Sequence, residues 1–380
     1  MRNKSPDRSG HFVFLCEGQL GDLLILTPAV RAVKDVFPAV KITAVILQRR
    51  SYDGSERSEN IFHSGPFSGT SSVLADNPNV DHVLEIDRSH LRSLWGFKRL
   101  AAEMQIVGRL RALKPDVIIC TFPQDRFAIW AYLSGAGMRI GQSNQKFAWL
   151  LTHKPDIEKE VIGVRDYYLT LAESAGARSQ SIDTDFSIPE DADIWADNLF
   201  RSFTIPETQI IVAVHPGASG PYKIWPPEYF ARVIDQLQNG MGCRVILCGT
   251  AFDEDVVAEI RRYVQTTVTE IKFDHNVARF AAILKRSRLC ISNDSGPRHL
   301  AVAVGTPSVA LMMRDQDRQW QIYQDDENNI VLLGEKACPA CDPSPCRHII
   351  PENANYGSLC IRTIPVERVL HAVQMILNRK

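Results

Sequence analysis

The chain has 380 residues, 45% of them hydrophobic and 23% charged, with a formal net charge of −1 at pH 7. That length exceeds what one hydrophobic core usually supports, so two domains are expected, and the near-neutral balance excludes the global basic excess of a nucleic-acid binder. No run approaches the roughly 18 apolar residues of a membrane span, and the composition is that of a soluble globular protein.

The opening MRNKSPDRSG is polar and leads into HFVFLC without the apolar stretch and small-residue cleavage site of a secretory signal, so residues 1–10 read as a disordered leader on a cytoplasmic protein. Strands are then expected at about 11–16, 41–47, 81–87, 116–122 and 138–142, alternating with helices at about 22–37, 91–113, 124–135 and 165–176. This rhythm is that of a parallel sheet covered by helices. It breaks at 51–72, a Ser/Gly-rich stretch that reads as a mobile loop, and a long loop in a compact domain is more often functional than idle. A first domain over 11–188 and an interdomain connection over 189–208, bounded by Pro189 and Pro206, follow from where the rhythm pauses. It restarts with IIVAVHPG and runs in strict alternation through PSVALMM, defining a second domain over 209–363. Residues 364–380 form an amphipathic helix with Val366, Val369, Leu370, Val373, Ile376 and Leu377 on one side. Of nine cysteines, Cys16, Cys120, Cys243, Cys248 and Cys290 sit in apolar strand-like runs, as reduced thiols in a reducing compartment do.

Three turns carry residues suited to chemistry. In CEGQLGDLLILTPAV, a strand ends, Gly18 and Gly21 permit a tight turn, and Asp22 opens a helix. An acid there complements the helix dipole, and it also stands at the carboxyl edge of the first strand, where α/β proteins put their sites. In HPGASGPYKIWPPEYF, a strand runs into a loop bearing Gly217, Ser219 and Lys223, stiffened by Pro226 and Pro227; Lys223 is a point positive charge suited to phosphate or a plain surface lysine. In ISNDSGPRHLAVAVGTP, Asp294, Ser295, Gly296 and Pro297 precede or open a helix whose free N–H groups make an anion site, with His299 one turn in. Each alone is weak, since capping and turn formation explain it equally well.

Taken in order, GD at the first turn, HPGxS…KxWP at the first turn of the second domain and DSGPxHLAxAxGTP near its end resemble glycosyltransferase family 9, the bacterial heptosyltransferases. The likeness runs from about His11 to Lys380 and includes TPAVRAVKDVFP, SGAGMRIG and CGT. It implies an α/β fold of GT-B type, two Rossmann-like domains facing each other across a cleft, with the C-terminal helix packing back toward the N-terminal domain. It implies inverting transfer of a sugar, with ADP-heptose as donor and a lipopolysaccharide-core or other cell-surface glycan as acceptor, and no cofactor for the chemistry. By the same resemblance Asp22 is the general base and Lys223 holds the leaving phosphates. The nucleotide-sugar set is Gly217, Ser219, Gly249, Thr250, Asp253, Asp294, Ser295, Gly296, Pro297 and His299.

The sequence departs from the family in three places. LMMRDQDRQW, with Arg314, Asp315 and Asp317, replaces a usual Phe-Gly-Pro-Thr-Asp stretch; Arg298 stands where an uncharged residue is usual; and 51–72 is inserted on the implied acceptor side. Donor sugar and acceptor identity are open at this point, as are a protein acceptor, an inactive binding relative and a sugar-nucleotide epimerase of similar fold. Cys338-x2-Cys341-x4-Cys346-x13-Cys360, within the loop 336–360, has spacing compatible with a structural zinc or iron, or with four free thiols. Finally, Arg88, Arg92, Lys98, Arg99, Arg109, Arg111 and Lys114 outnumber Asp87 and Glu103 along one helical region. That is either a solvated face or a landing surface for an anionic glycolipid core or the inner face of the membrane.

Overall fold

The computed structural model describes residues 10–48, 61–63, 67, 69–155, 157, 163–203, 205–206, 208–273, 275–314, 322–323, 327–337 and 349–379. The chain divides into two compact units, Met1–Ser187 and Ile188–Lys380.

The first unit runs β1 (His11–Glu17), α1 (Leu20–Val36), β2 (Lys41–Gln48), β3 (Phe62–His63), α2 (Ser72–Ala75), β4 (His82–Asp87), α3 (Arg88–Ser93), α4 (Gly96–Ala112), β5 (Val117–Cys120), α5 (Asp125–Ser134), β6 (Met138–Ile140) and α6 (Val164–Glu173). Its sheet has the order β3-β4-β2-β1-β5-β6, parallel except for the short β3. The central β1 is apolar on both faces, with Phe12 to Leu15 fully buried, because helices cover both sides of a parallel sheet. Most of the 51–72 stretch lies outside the described residues; its described part supplies β3 and the entry to α2. The single helix expected over 91–113 is two. Leu94 and Trp95 are extended and Gly96 has φ of +55°, a left-handed conformation that glycine takes without steric cost and that no helix can run through.

The second unit runs α7 (Glu190–Ser202), β7 (Ile211–His215), α8 (Pro227–Asp235), β8 (Arg244–Gly249), α9 (Glu254–Tyr263), β9 (Thr269–Lys272), α10 (Val277–Lys285), β10 (Leu289–Asn293), α11 (Gly296–Ala303), β11 (Ser308–Met312), β12 (Asn329–Leu333) and α12 (Val366–Leu377). The sheet order is β12-β11-β10-β7-β8-β9, all parallel. Much of the expected connection 189–208 is thus helix α7, held to α10 by Arg286, which bonds Asp193 at 2.8 Å and Asp197 at 2.6 Å. Helix α12 buries Val366, Val369, Ala372, Val373 and Ile376 in the core of its own unit, beside α8 and β10. Its single apolar stripe is filled by that contact.

In each sheet the strand order reverses beside the first strand: β1 is followed outward by β2 and β4 on one side and by β5 on the other, and β7 by β8 on one side and β10 on the other. Such reversals open a crevice at the carboxyl ends of the strands, where α/β proteins bind ligands.

Candidate active site

At the first reversal, Gly18 follows β1 so closely on the end of β2 that an added Cβ would lie 3.0 Å from the Gln48 backbone. The turn is fastened by Gly18 N–H to the Leu47 carbonyl at 3.0 Å and by the Thr70 hydroxyl to the Gly18 carbonyl at 2.8 Å. It delivers Asp22 into the first turn of α1, where the carboxylate is 5% exposed and accepts from the Tyr168 hydroxyl of α6 at 3.5 Å. Burial, and then the Asp22 charge, hold the Tyr168 phenol well above its ordinary pKa, so tyrosine keeps its proton and acts as donor.

Beside it stands a group that the sequence reading missed. Glu17, the last residue of β1, pairs with Arg88 at the start of α3 and accepts from Gln124, just ahead of α5. Glu17 ends β1, while Arg88 and Gln124 follow β4 and β5, so only the sheet order brings them together. The signal in sequence is an acid at the end of an otherwise apolar strand.

At the second reversal, β7 ends in His215, and Pro216-Gly217 turn toward a short helical turn, Pro221–Lys223. Asn293 at the end of β10 bridges this loop, donating to the Pro216 carbonyl at 2.5 Å and accepting from the Trp225 N–H at 3.0 Å. Trp225 is fully buried and donates its indole N–H to the Ile364 carbonyl at 3.1 Å. Two further bonds, from Gly357 N–H to the Pro221 carbonyl and from Ser358 N–H to the Tyr222 carbonyl, each 2.9 Å, clamp the lysine turn. Lys223 Nζ lies 3.9 Å from Asp294, and the Ser295 hydroxyl lies 3.4 Å from the Gly217 carbonyl. Gly217, Lys223, Asp294 and Ser295 therefore meet at the N-terminus of α11, with Gly296 its first residue and Pro297 its second, where a missing N–H costs nothing.

Other expected site residues are placed differently. Asp253 closes a capping box by accepting from the Thr250 N–H and hydroxyl, both at 2.8 Å, and lies 3.6 Å from His215 Nε2. A Cβ on Gly217 would fall 1.8 Å from the Asp253 carboxylate, and one on Gly249 would fall 3.2 Å from the Asp253 Cβ, so both glycines make room for that aspartate. Burial lowers the His215 pKa, partly offset by Asp253. His299 is buried beside the Tyr323 hydroxyl at 3.1 Å, and burial, then the Arg298 charge, push its imidazole down to about 3, which keeps it neutral. Ser219 is exposed on the loop.

Arg298 is fully buried in α11. Its guanidinium lies 3.5 Å from Asp294 and over the Tyr323 ring, while Nε and Nη2 have no hydrogen-bond partner among the described residues. Asp294 thus stands between two cations, Lys223 and Arg298. Asp315 and Asp317 lie outside the described residues, as do Cys338, Cys341 and Cys346. Cys360 is buried in the second unit's core with the Ser358 hydroxyl 3.4 Å from its sulfur. Among the described residues no group of three His, Cys, Asp or Glu side chains is placed to hold a metal ion.

A family model described as glycosyltransferase family 9 (heptosyltransferase) matches residues 105–348. The chain belongs to this family. Glycosyltransferase family 9 membership makes it a glycosyltransferase, and both reversal sites carry the motifs through which its sequence resembles the family. Along the whole chain it is 26% identical over 365 residues to lipopolysaccharide heptosyltransferase 3 of Escherichia coli K12, covering 94% of this chain and 95% of that one. The fold matches a family 9 glycosyltransferase from Veillonella parvula with a TM-score of 0.78 at 22% identity, over 99% of this chain and 100% of the other. It also matches the Escherichia coli heptosyltransferase WaaC solved with ADP, with a TM-score of 0.69 at 16% identity, over 96% and 99%. These likenesses fix the architecture as GT-B. Among the described residues no helix is long and apolar enough to cross a membrane.

Proposed function

We propose that the chain is an inverting heptosyltransferase that moves a heptose from ADP-heptose to a lipopolysaccharide-core acceptor. The carrying observation is the meeting of Lys223, Gly217, Ser295 and the N-terminus of α11 at the second reversal. A lysine opposite a helix N-terminus concentrates positive potential where a diphosphate leaving group gathers charge. The donor and acceptor classes are supported by the full-length likeness to a lipopolysaccharide heptosyltransferase and by a structural relative solved with ADP.

In this reading Asp22 accepts the proton of the acceptor hydroxyl as the oxygen bonds to the anomeric carbon. The bond from that carbon to the diphosphate oxygen breaks on the opposite face, and its electron pair leaves with ADP. Tyr168, which keeps its proton, orients the Asp22 carboxylate. Lys223 and the helix N-terminus follow the growing negative charge, Asp294 fixes the lysine, and neutral His299 with Gly296 and Pro297 shapes the wall behind. The positive charge this chemistry calls for is carried by protein groups, so the reading assigns no metal to the reaction. It makes the protein cytoplasmic, working at the inner face of the membrane that bears its glycolipid, in keeping with four buried, unpaired strand cysteines, Cys16, Cys120, Cys248 and Cys290.

The test is binding and transfer with a panel of ADP-, UDP- and GDP-sugars, repeated on Asp22→Asn. ADP-heptose should bind best, and the variant should bind it normally while turning over at least about a hundredfold more slowly, the usual share of a general base. Unchanged turnover, or preference for another nucleotide, overturns the reading.

A further inference from the structure

Helix α4 carries two apolar stripes where a surface helix needs one. Ala102, Ile106, Val107 and Leu110 are buried in the first unit's core. On another side Phe97, Leu100 and Met104 follow one another at i, i+3 and i+7, which aligns them along the helix, and they are 83%, 56% and 49% exposed. Trp95, in the extended break before α4, is 83% exposed as well. An open cleft of about 850 Å³ runs beside this stripe, lined by Ile61, Leu94, Ala101 and Met104 together with His90 and Lys98.

The charges around the stripe have one sign. Residues 92–111 contain five basic side chains, Arg92, Lys98, Arg99, Arg109 and Arg111, and a single acid, Glu103. Glu103 is already engaged, accepting from the Trp130 indole N–H at 2.6 Å and lying 3.9 Å from Arg99. Arg92, Lys98, Arg109 and Arg111 are exposed.

We propose that the α3–α4 surface docks on a bilayer interface bearing anionic headgroups. Trp95 and Phe97, with Leu100 and Met104 behind them, enter the boundary between headgroups and acyl chains, and the surrounding cations pair with phosphates. Aromatic side chains at the end of a helix and basic residues beside an apolar stripe are what such an interface takes up. Charge selects this occupant over a second copy of the chain. In a two-fold interface the same patch meets itself, so five cations would face five cations, whereas an anionic leaflet attracts them. The inference stands on this surface alone and goes beyond the proposed reaction.

The experiment is co-sedimentation of the full chain with vesicles of phosphatidylcholine containing phosphatidylglycerol, against vesicles of pure phosphatidylcholine, with no sugar donor or acceptor present. The chain should sediment with the anionic vesicles only, and added salt should release it. Trp95→Ser with Phe97→Ser, and separately Arg92→Glu with Lys98→Glu, should each weaken binding by about tenfold or more. All four side chains are exposed, so both variants should melt with the parent. Absence of binding to anionic vesicles, or equal binding by parent and variants, overturns the proposal. So does a dimer in sedimentation equilibrium that the Trp95 and Phe97 substitutions dissociate, which would make the face a contact between copies. None of these outcomes depends on whether Asp22 is the base or ADP-heptose the donor.

Discussion

Arg298 is a buried cation whose compensation comes chiefly from one carboxylate, and this makes its energetics measurable. In Asp294→Ala the guanidinium stays fully buried without its counter-charge, a change that costs about 3–5 kcal/mol. Arg298→Met removes a 3.5 Å ion pair, but it also removes two buried donors, Nε and Nη2, that have no partner among the described residues and each carry a desolvation cost of about 1–3 kcal/mol. The two effects nearly cancel, so this variant should stay within about 1 kcal/mol of the parent. Once methionine is in place, Asp294→Ala no longer strands a buried cation, and the 3.9 Å contact it gives up to Lys223 is worth about 0–1 kcal/mol. The two sites should therefore couple by about 2–5 kcal/mol in a double-mutant cycle. The assay is urea unfolding of the four proteins; in thermal unfolding, Asp294→Ala alone should lower the midpoint by about 10 °C, at about 2–4 °C per kcal/mol for a chain of this size. Additive costs would refute the reasoning and place Arg298's compensation elsewhere.

Lys223→Ala should raise the donor KM and lower kcat together, because the leaving-group charge that the lysine follows is larger in the transition state than in the bound donor; steady-state kinetics showing only a changed acceptor KM would contradict its placement. His299 sets a pH dependence. Its folded pKa of about 3 lies below the ordinary value of about 6.5, so the unfolded chain takes up a proton that the native one refuses. That stability is present above pH 6.5 or so and is lost as pH falls toward 3, at about 1.4 kcal/mol per pH unit. Urea unfolding at pH 7 and pH 5 should show a loss of about 2 kcal/mol from this group that His299→Gln abolishes, and an unchanged slope in the variant would assign the loss to other groups.

The sequence alone was enough to read the strand–helix alternation, because fully buried parallel strands such as Phe12 to Leu15 and Val212 to Val214 are unbroken apolar runs between glycine turns. Lys223, Asp294 and Ser295 were legible for a second reason: each sits in a turn whose motif is local. What escaped notice depends on strand order. Glu17, Arg88 and Gln124 come from three separate turns, and Asn293 looks like an ordinary strand end until its amide is seen holding Pro216 and Trp225. Asp253 is legible in sequence as a nucleotide-site candidate, but its bonds back to Thr250 and its approach to His215, from a separate strand, are not. The break at Leu94–Gly96 was missed because one glycine inside a helical pattern is usually tolerated, and only its positive φ shows that the helix starts afresh.

The clamp on the lysine turn also bears on how the enzyme is made. Lys223 is held by Asn293 through Trp225, and by Gly357, Ser358 and Ile364. On the ribosome, β7 and its loop emerge long before Gly357, Ser358 and Ile364 do, so the turn cannot close fully until residues 357–364 have been synthesised. A nascent chain, or one cut short ahead of Gly357, carries every motif of the proposed donor site in its sequence and yet lacks the clamp that sets the lysine turn. On the proposed reading, sugar-nucleotide capture thus waits on a segment that follows every donor-site motif in the chain.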